Sequence, residues 1–277
     1  MFVVTGASGF IGRAVVTALV RRGALVLAAS RRPIEMNSAV ETRQLRSYAE
    51  LVPRAADSTL LHFAEPRDID AAARAGEGYI AERRAALAEL LAQNWGHVVY
   101  GSSAAVYGDA ERTPHRTDDA VKPRGAYARA KAACEEDALA EGGAVARLAN
   151  VYGSGMAPNS VVSEILRQIP GAGPLVLRDR KPVRDYVWID DLADGLAALA
   201  MSRKAGIFNF GSGRGISVGE LARTALDKAG EPGRPICAWG EERESQLVVD
   251  IAETSAQIGW KPSVTIEQGL GNLLGAR

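Results

Sequence analysis

Two cysteines, three histidines and no surplus of either charge place several classes of protein out of reach of this 277-residue chain. Cys134 and Cys237 form no recognisable motif. That excludes a disulfide-stapled scaffold and fits a reducing cytoplasm, the compartment expected here. His62, His97 and His115 lack metal-ligand spacing, so no metal site is expected and all three read as structural or surface residues. Lys and Arg number 33, as do Asp and Glu. With no net charge, neither nucleic acid nor a membrane surface is expected as the main partner. No apolar run approaches membrane-spanning length. Apolar stretches ending near Ala28-Ala29-Ser30 faintly resemble a signal peptide, but a basic start is missing and a glycine-rich string with Arg13 interrupts them. Repeats and low-complexity tracts are absent as well. The hydrophobic share of 47% supplies ample core for one large domain or two small ones.

What is present begins at residue 5. The string Thr5-Gly6-Ala7-Ser8-Gly9-Phe10-Ile11-Gly12 follows Phe2-Val3-Val4, a run of buried-strand type. After it, Ala14, Val15, Ala18 and Leu19 recur at helical spacing until Arg21-Arg22-Gly23, basic residues with a stop glycine. Strand, glycine turn and helix together are the context in which such a loop holds a dinucleotide. Glycines let backbone N–H groups approach the pyrophosphate, and the helix start adds partial positive charge. Gly6, Ser8, Gly9, Phe10, Ile11 and Gly12 are therefore candidate cofactor residues; the alternative is a purely structural turn.

Strands are expected over Phe2–Thr5, Leu25–Ser30, Thr42–Leu45, Thr59–Phe63, Val98–Ser102 and Ala144–Leu148, with helices starting at Ile11, Tyr48, Tyr79 and Ala126. This βαβ rhythm predicts an α/β fold with a doubly wound parallel sheet of Rossmann type. The second half carries more Gly and Pro in shorter elements, which predicts a smaller C-terminal substrate-binding lobe. The expected division is a dinucleotide-binding domain over 1–152, with a return segment at 183–203, and a mainly substrate-binding lobe over 153–277.

Three further side chains suit proton transfer beside a hydride carrier. Ser103 follows the run His97-Val98-Val99-Tyr100-Gly101-Ser102, so it falls at the carboxyl end of a strand, where open α/β sheets bind ligands. Tyr127 and Lys131 are four residues apart in a helical stretch and share one face. A phenol is a poor base at neutral pH, and a neighbouring ammonium with a cationic nicotinamide ring favours its phenolate. Ser103 would then hydrogen-bond the substrate oxygen beside the Tyr hydroxyl. The bland reading is a half-buried Tyr over an aliphatic Lys stem, with Ser103 closing a turn.

The second strand ends Ser30-Arg31-Arg32, and neither Asp nor Glu occurs between Gly23 and Arg32. An acid there would bind the ribose 2′-hydroxyl of NAD, whereas Arg accommodates a 2′-phosphate. NADP(H) is the preferred cofactor on this reading, with Ser30, Arg31 and Arg32 as its ligands, and NAD(H) is the alternative.

Taken together, these strings resemble the extended short-chain dehydrogenases/reductases of the NAD-dependent epimerase/dehydratase (nucleotide-sugar) family. The resemblance also rests on Leu60-Leu61-His62-Phe63-Ala64, Gly101-Ser102-Ser103-Ala104-Ala105-Val106-Tyr107-Gly108, Arg147-Leu148-Ala149-Asn150-Val151-Tyr152-Gly153 and Arg184-Asp185-Tyr186-Val187-Trp188-Ile189-Asp190-Asp191. The stretches Phe208-Asn209-Phe210-Gly211-Ser212-Gly213 and Gly259-Trp260-Lys261-Pro262 match too. It implies that Ser103, Tyr127 and Lys131 are a catalytic triad, that Phe63, Ala64, Tyr127 and Lys131 contact the cofactor, and that Asn150 and Arg184 contact a sugar-nucleotide diphosphate. A planar Arg fork suits that phosphate; the alternative for Arg184 is a structural pair with Asp185 or Asp190. The resemblance further implies a homodimer that packs two helices per subunit.

Departures narrow the expectation. Ala104 and Ala105 stand where family 4,6-dehydratases carry Asp-Glu, which argues against water elimination. Arg83 and Arg84 replace an Asn-containing pattern, Ala130 replaces a Ser, and Glu65 stands where relatives usually carry Gly or Ala beside the nicotinamide. The leading expectation is NADP(H)-dependent reduction of a nucleotide-linked 4-keto sugar. A nucleotide-sugar 4-epimerase with a retained cofactor, a reductase of a non-sugar ketone or aldehyde, and a non-catalytic dinucleotide sensor are the alternatives.

Overall fold

Short runs of β-branched and aliphatic residues, apolar at consecutive positions, are what a sheet covered on both faces requires. The computed structural model describes residues 1–36, 40–65, 69–111, 114–169 and 171–275. Within them such runs form β1 (Phe2–Thr5), β2 (Val26–Ser30), β4 (Thr59–His62), β5 (His97–Ser103) and β6 (Ala144–Leu148), while a polar stretch forms β3 (Glu41–Gln44). Every residue of β2, β4 and β6 is buried. Polar, largely exposed β3 lies at the sheet edge, where charge discourages pairing with other chains.

The helices on this sheet are α1 (Phe10–Arg21), α2 (Ile69–Ala75), α3 (Glu77–Leu91) and α4 (Gly125–Ala140). Helix α1 buries Val15, Val16, Ala18 and Leu19. Further along come β7 (Asn150–Tyr152), α5 (Val161–Gln168), β8 (Leu175–Leu177), β9 (Val183–Trp188), α6 (Ile189–Ser202) and β10 (Gly206–Phe210). The chain closes with β11 (Gly215–Ser217), α7 (Val218–Lys228), β12 (Ile236–Ala238), β13 (Gln246–Leu247), α8 (Ala252–Ile258) and α9 (Ile266–Gly275).

The main sheet has the order β10-β6-β5-β4-β1-β2-β3, and every pairing in it is parallel. Consecutive strands run outward from β1 on one side and from β4 on the other. The crevice at the carboxyl ends of β1 and β4 is therefore the topological switch point, where such sheets bind ligands. A smaller group pairs β9 with β7, β11 and β13, and β8 with β12. It shares a core that includes Tyr152, Ile165, Leu166, Leu221, Leu226 and Leu270.

Two expectations need correction. The helix expected from Tyr48 is a single 3-10 turn, Tyr48–Glu50. Ser47 and Glu50 cap it reciprocally, and Pro53 follows within three residues, which disfavours a helical continuation. The return to the main sheet also runs past the expected 183–203 segment. Helix α6 packs on α1, and β10 then pairs with β6 from Gly206↔Ala144 to Phe210↔Leu148.

Candidate active site

The glycine loop leaves β1 at Gly6, whose φ of +72° lies in the left-handed region. A Cβ there would stand 2.6 Å from the Phe63 carbonyl oxygen, because Phe63, the residue after β4, lies directly against the loop. A Cβ on Gly12 would meet the Gly6 oxygen at 2.3 Å, so any side chain there would push α1 off the loop. Gly9 is the N-cap of α1; among the described residues no side chain caps that end, and no acid sits in its first turn. The first-turn N–H groups consequently remain available to an anion. This cradle of bare backbone fits a dinucleotide pyrophosphate. Ser8 and Ser30 hydroxyls share a 2.6 Å hydrogen bond, and Ser30 Oγ accepts the Arg32 N–H at 3.1 Å. The side chains of Arg31 and Arg32 stay exposed at the cavity edge, with the Arg31 guanidinium 5.8 Å from the Tyr48 ring centre.

Ser103 ends β5 and caps a 3-10 turn, Ala104–Tyr107. Its Oγ accepts the Ala105 N–H at 3.2 Å, which leaves the O–H proton free to donate into the cavity. Ser103 thus closes a turn and faces the cavity at once. Tyr127, half-buried, and Lys131, buried, lie one turn apart on α4, whose alanines bring it close to α2 and α3. Behind Ser103, the Ser102 hydroxyl donates to Glu135 of α4, and Arg147 of β6 holds the same carboxylate at 2.7 Å. This buried network fixes α4, which carries Tyr127 and Lys131, relative to β5, which carries Ser103.

Lys131 does not stand alone. Its Nζ donates to the Gly101 carbonyl at 2.6 Å and lies 2.6 Å from Glu65 Oε2, each side chain only 8% exposed. Burial pushes the Glu65 carboxyl up, but the Lys131 charge and contacts with His62 and Lys131 outweigh it and hold the group at about 2. Burial likewise disfavours the Lys131 ammonium, and the Glu65 and Tyr127 side chains reverse that and raise it. The pair is therefore ionised in the folded protein.

Toward the opposite end, Asn150 on β7 and Arg184 on β9 face the same cavity. Arg184 donates to Ser245 Oγ at 2.7 Å and to the Ser245 carbonyl at 3.1 Å, with Asp109 at 3.5 Å. Its sequence neighbours are engaged elsewhere: Asp185 accepts from Ser212 and Gly213, and Asp190 accepts from the Trp188 indole. Arg124, exposed, lies 3.9 Å from Asp109.

All sixteen candidate residues line one cavity of about 1130 Å³: Gly6, Ser8, Gly9, Phe10, Ile11, Gly12, Ser30, Arg31, Arg32, Phe63, Ala64, Ser103, Tyr127, Lys131, Asn150 and Arg184. Ala104 and Ala105 also line it and bring no proton-transfer group. Sequence reasoning missed Tyr48, Asp109, Arg124 and Leu247 on its wall, and it noted Glu65 without its partner.

A family model described as the NAD dependent epimerase/dehydratase family matches residues 2–211. The dTDP-4-dehydro-6-deoxyglucose reductase of Escherichia coli is 25% identical, over 98% of this chain and 95% of the relative. The dTDP-4-dehydrorhamnose reductase of Streptomyces griseus is 33% identical, over 74% of this chain and 66% of its own. Among solved structures, MoeE5 in complex with UDP-glucose and NAD aligns with a TM-score of 0.83 at 26% identity, covering 99% of this chain and 97% of that one.

Proposed function

The chain belongs to the NAD dependent epimerase/dehydratase family, and from that premise we propose that it is an NADPH-dependent reductase of a nucleotide-linked 4-keto-6-deoxy sugar. The observation that carries this reading is the single cavity shared by the glycine loop, Arg31 with Arg32, the Ser103–Tyr127–Lys131 trio, and Arg184. The glycine loop and the start of α1 hold the pyrophosphate through main-chain N–H groups. Ser30, Arg31 and Arg32 hold the adenosine 2′-phosphate, and neither Asp nor Glu occurs between Gly23 and Arg32. Asn150 and Arg184 hold the sugar-nucleotide diphosphate, Arg184 through a fork already braced on Ser245.

When bound, the nicotinamide supplies hydride to the keto carbon. Tyr127 gives its phenolic proton to the keto oxygen and later regains one from solvent. Ser103 donates its free O–H to that same oxygen, and Lys131 sets the electrostatic surroundings of the phenol. The two relatives named as reductases of 4-keto deoxysugar nucleotides support this reaction class.

The test is to supply the purified protein with NADPH or NADH and a nucleoside-diphosphate-linked 4-keto-6-deoxy sugar. Stoichiometric NADPH consumption, favoured at least about tenfold over NADH, is the expected result. Tightly retained NAD⁺, no net consumption of NADPH or NADH, and interconversion of 4-epimers when a 4-hydroxy sugar nucleotide is supplied in place of the ketone would overturn it in favour of an epimerase.

A further inference from the structure

We propose that Glu65 is a positioning residue: its carboxylate holds the Lys131 ammonium against the Gly101 carbonyl and offsets that cation at Tyr127, so the phenol is set to give a proton rather than to take one. This rests on the reductase reading above and adds a residue to it.

The geometry is specific. Glu65 lies just beyond β4 on the cavity wall, and both of its oxygens are engaged. Oε2 meets Lys131 Nζ at 2.6 Å, and the Tyr100 hydroxyl donates to Oε1 and Oε2 at 3.0 and 3.1 Å. His62 Nε2 is 3.7 Å from Oε1, and the His62 ring is fixed from behind by Thr5 Oγ1 at 2.7 Å. Lys131 Nζ also lies 4.9 Å from the Tyr100 ring centre. The ammonium is thus pinned from β5 on one side and by Glu65 on the other.

Other titratable groups near the pair come from each element around it. His62 comes from β4, Tyr100 from β5, Cys134 from α4 and Tyr48 from the 3-10 turn, while α3 contributes Tyr79 and Arg83. Burial pushes the Tyr100 and Tyr79 phenols up, and the Cys134 thiol up to about 12, so these three are neutral at pH 7. Arg83 is a cation over the Tyr79 ring, in contact with Glu82. At the cavity mouth, Asp109 pairs with both Arg124 and Arg184. No second carboxylate shares Glu65's contact with Lys131 among the described residues. Removing Glu65's charge leaves the ammonium's field at Tyr127 unopposed, which favours the phenolate.

The experiment is an ultraviolet titration of phenolate absorbance in the cofactor-free protein, with the matching Tyr127→Phe variant subtracted to isolate Tyr127. In Glu65→Gln the Tyr127 transition is expected at lower pH by about one unit. Glu65→Ala should move the same way, and charge-conserving Glu65→Asp should stay near wild type. A transition in Glu65→Gln and Glu65→Ala that is unmoved, or moved upward, would overturn the proposal. A merely structural Glu65 would lower the melting temperature of its variants and leave the transition in place. Neither substrate nor cofactor is present, so this result stands apart from failure of the reductase reading, which turnover assays report.

Discussion

At the carboxyl ends of β1 and β4 the cavity wall is bare main chain; at its mouth, beside β9, it is side chain. The first wall is held by close approach, with Gly6 against Phe63 and Gly12 against Gly6, and it has no room for a Cβ. The second is held by Arg184 on Ser245 and Asp109, from segments distant in sequence. Backbone N–H groups recognise a pyrophosphate whatever group it carries. Side-chain forks recognise a particular arrangement of oxygens and are exchanged by substitution. One end therefore suits a shared cofactor, and the other suits a substrate that differs between relatives. The Ser103–Tyr127–Lys131 trio sits where the two walls meet.

The sharpest break in this comparison comes at that junction. Tyr127→Phe should lower kcat/KM by about 10²- to 10⁴-fold while dinucleotide affinity, followed by fluorescence titration, stays near wild type. Intact turnover would remove the phenol from the chemistry. On the main-chain wall, Gly12→Ala should weaken dinucleotide binding by about 10- to 100-fold and lower stability by about 1–3 kcal/mol, read by binding and thermal melting. If it bound dinucleotide as wild type does, the tight approach would not matter. Replacing Arg31 and Arg32 together with Ala should cost about tenfold in NADPH affinity and leave NADH unchanged. An equal loss for both cofactors would place the arginines elsewhere than at the 2′-phosphate.

On the side-chain wall, Arg184→Ala should raise the substrate KM about tenfold with kcat little changed, since the diphosphate is remote from the reacting carbon. A fall in kcat alone would contradict that placement. The smallest effect is on acid stability. Glu65 is held at about 2 against an ordinary 4.5, so its ionisation stabilises the fold above about pH 4.5, and that contribution is lost as pH falls toward 2. Glu65→Gln should flatten the stability curve in that window; an unchanged acid arm in chemical denaturation would contradict the buried ion pair.

Much of the main-chain end was legible in the sequence because its determinants are local. The run Phe2-Val3-Val4, the glycines and the apolar helix spacing lie within twenty residues. Four further strands of the main sheet, β2, β4, β5 and β6, announced themselves as apolar runs. The strand Gly206–Phe210 was harder to place: its partner residues in β6 lie sixty-two positions earlier, and periodicity gives no partner. The Gly- and Pro-rich surroundings suggested a separate lobe instead. Tyr48 began an apparent helix that Pro53 cut to one turn. Glu65 stood out as a departure, but Lys131 is sixty-six positions away, and only the fold brings the two within 2.6 Å. Asp109, Arg124 and Ser245 lie in loops without a periodic pattern, so their convergence near Arg184 had no local signature.

The most direct measurement uses NADPH deuterated at nicotinamide C4 together with a nucleoside-diphosphate-linked 4-keto-6-deoxy sugar, and mass spectrometry of the sugar product. Deuterium bound at C4 of the sugar, in step with NADPH consumed, is the predicted result. Keto sugar recovered unreduced while the deuterated NADPH persists would contradict net reduction.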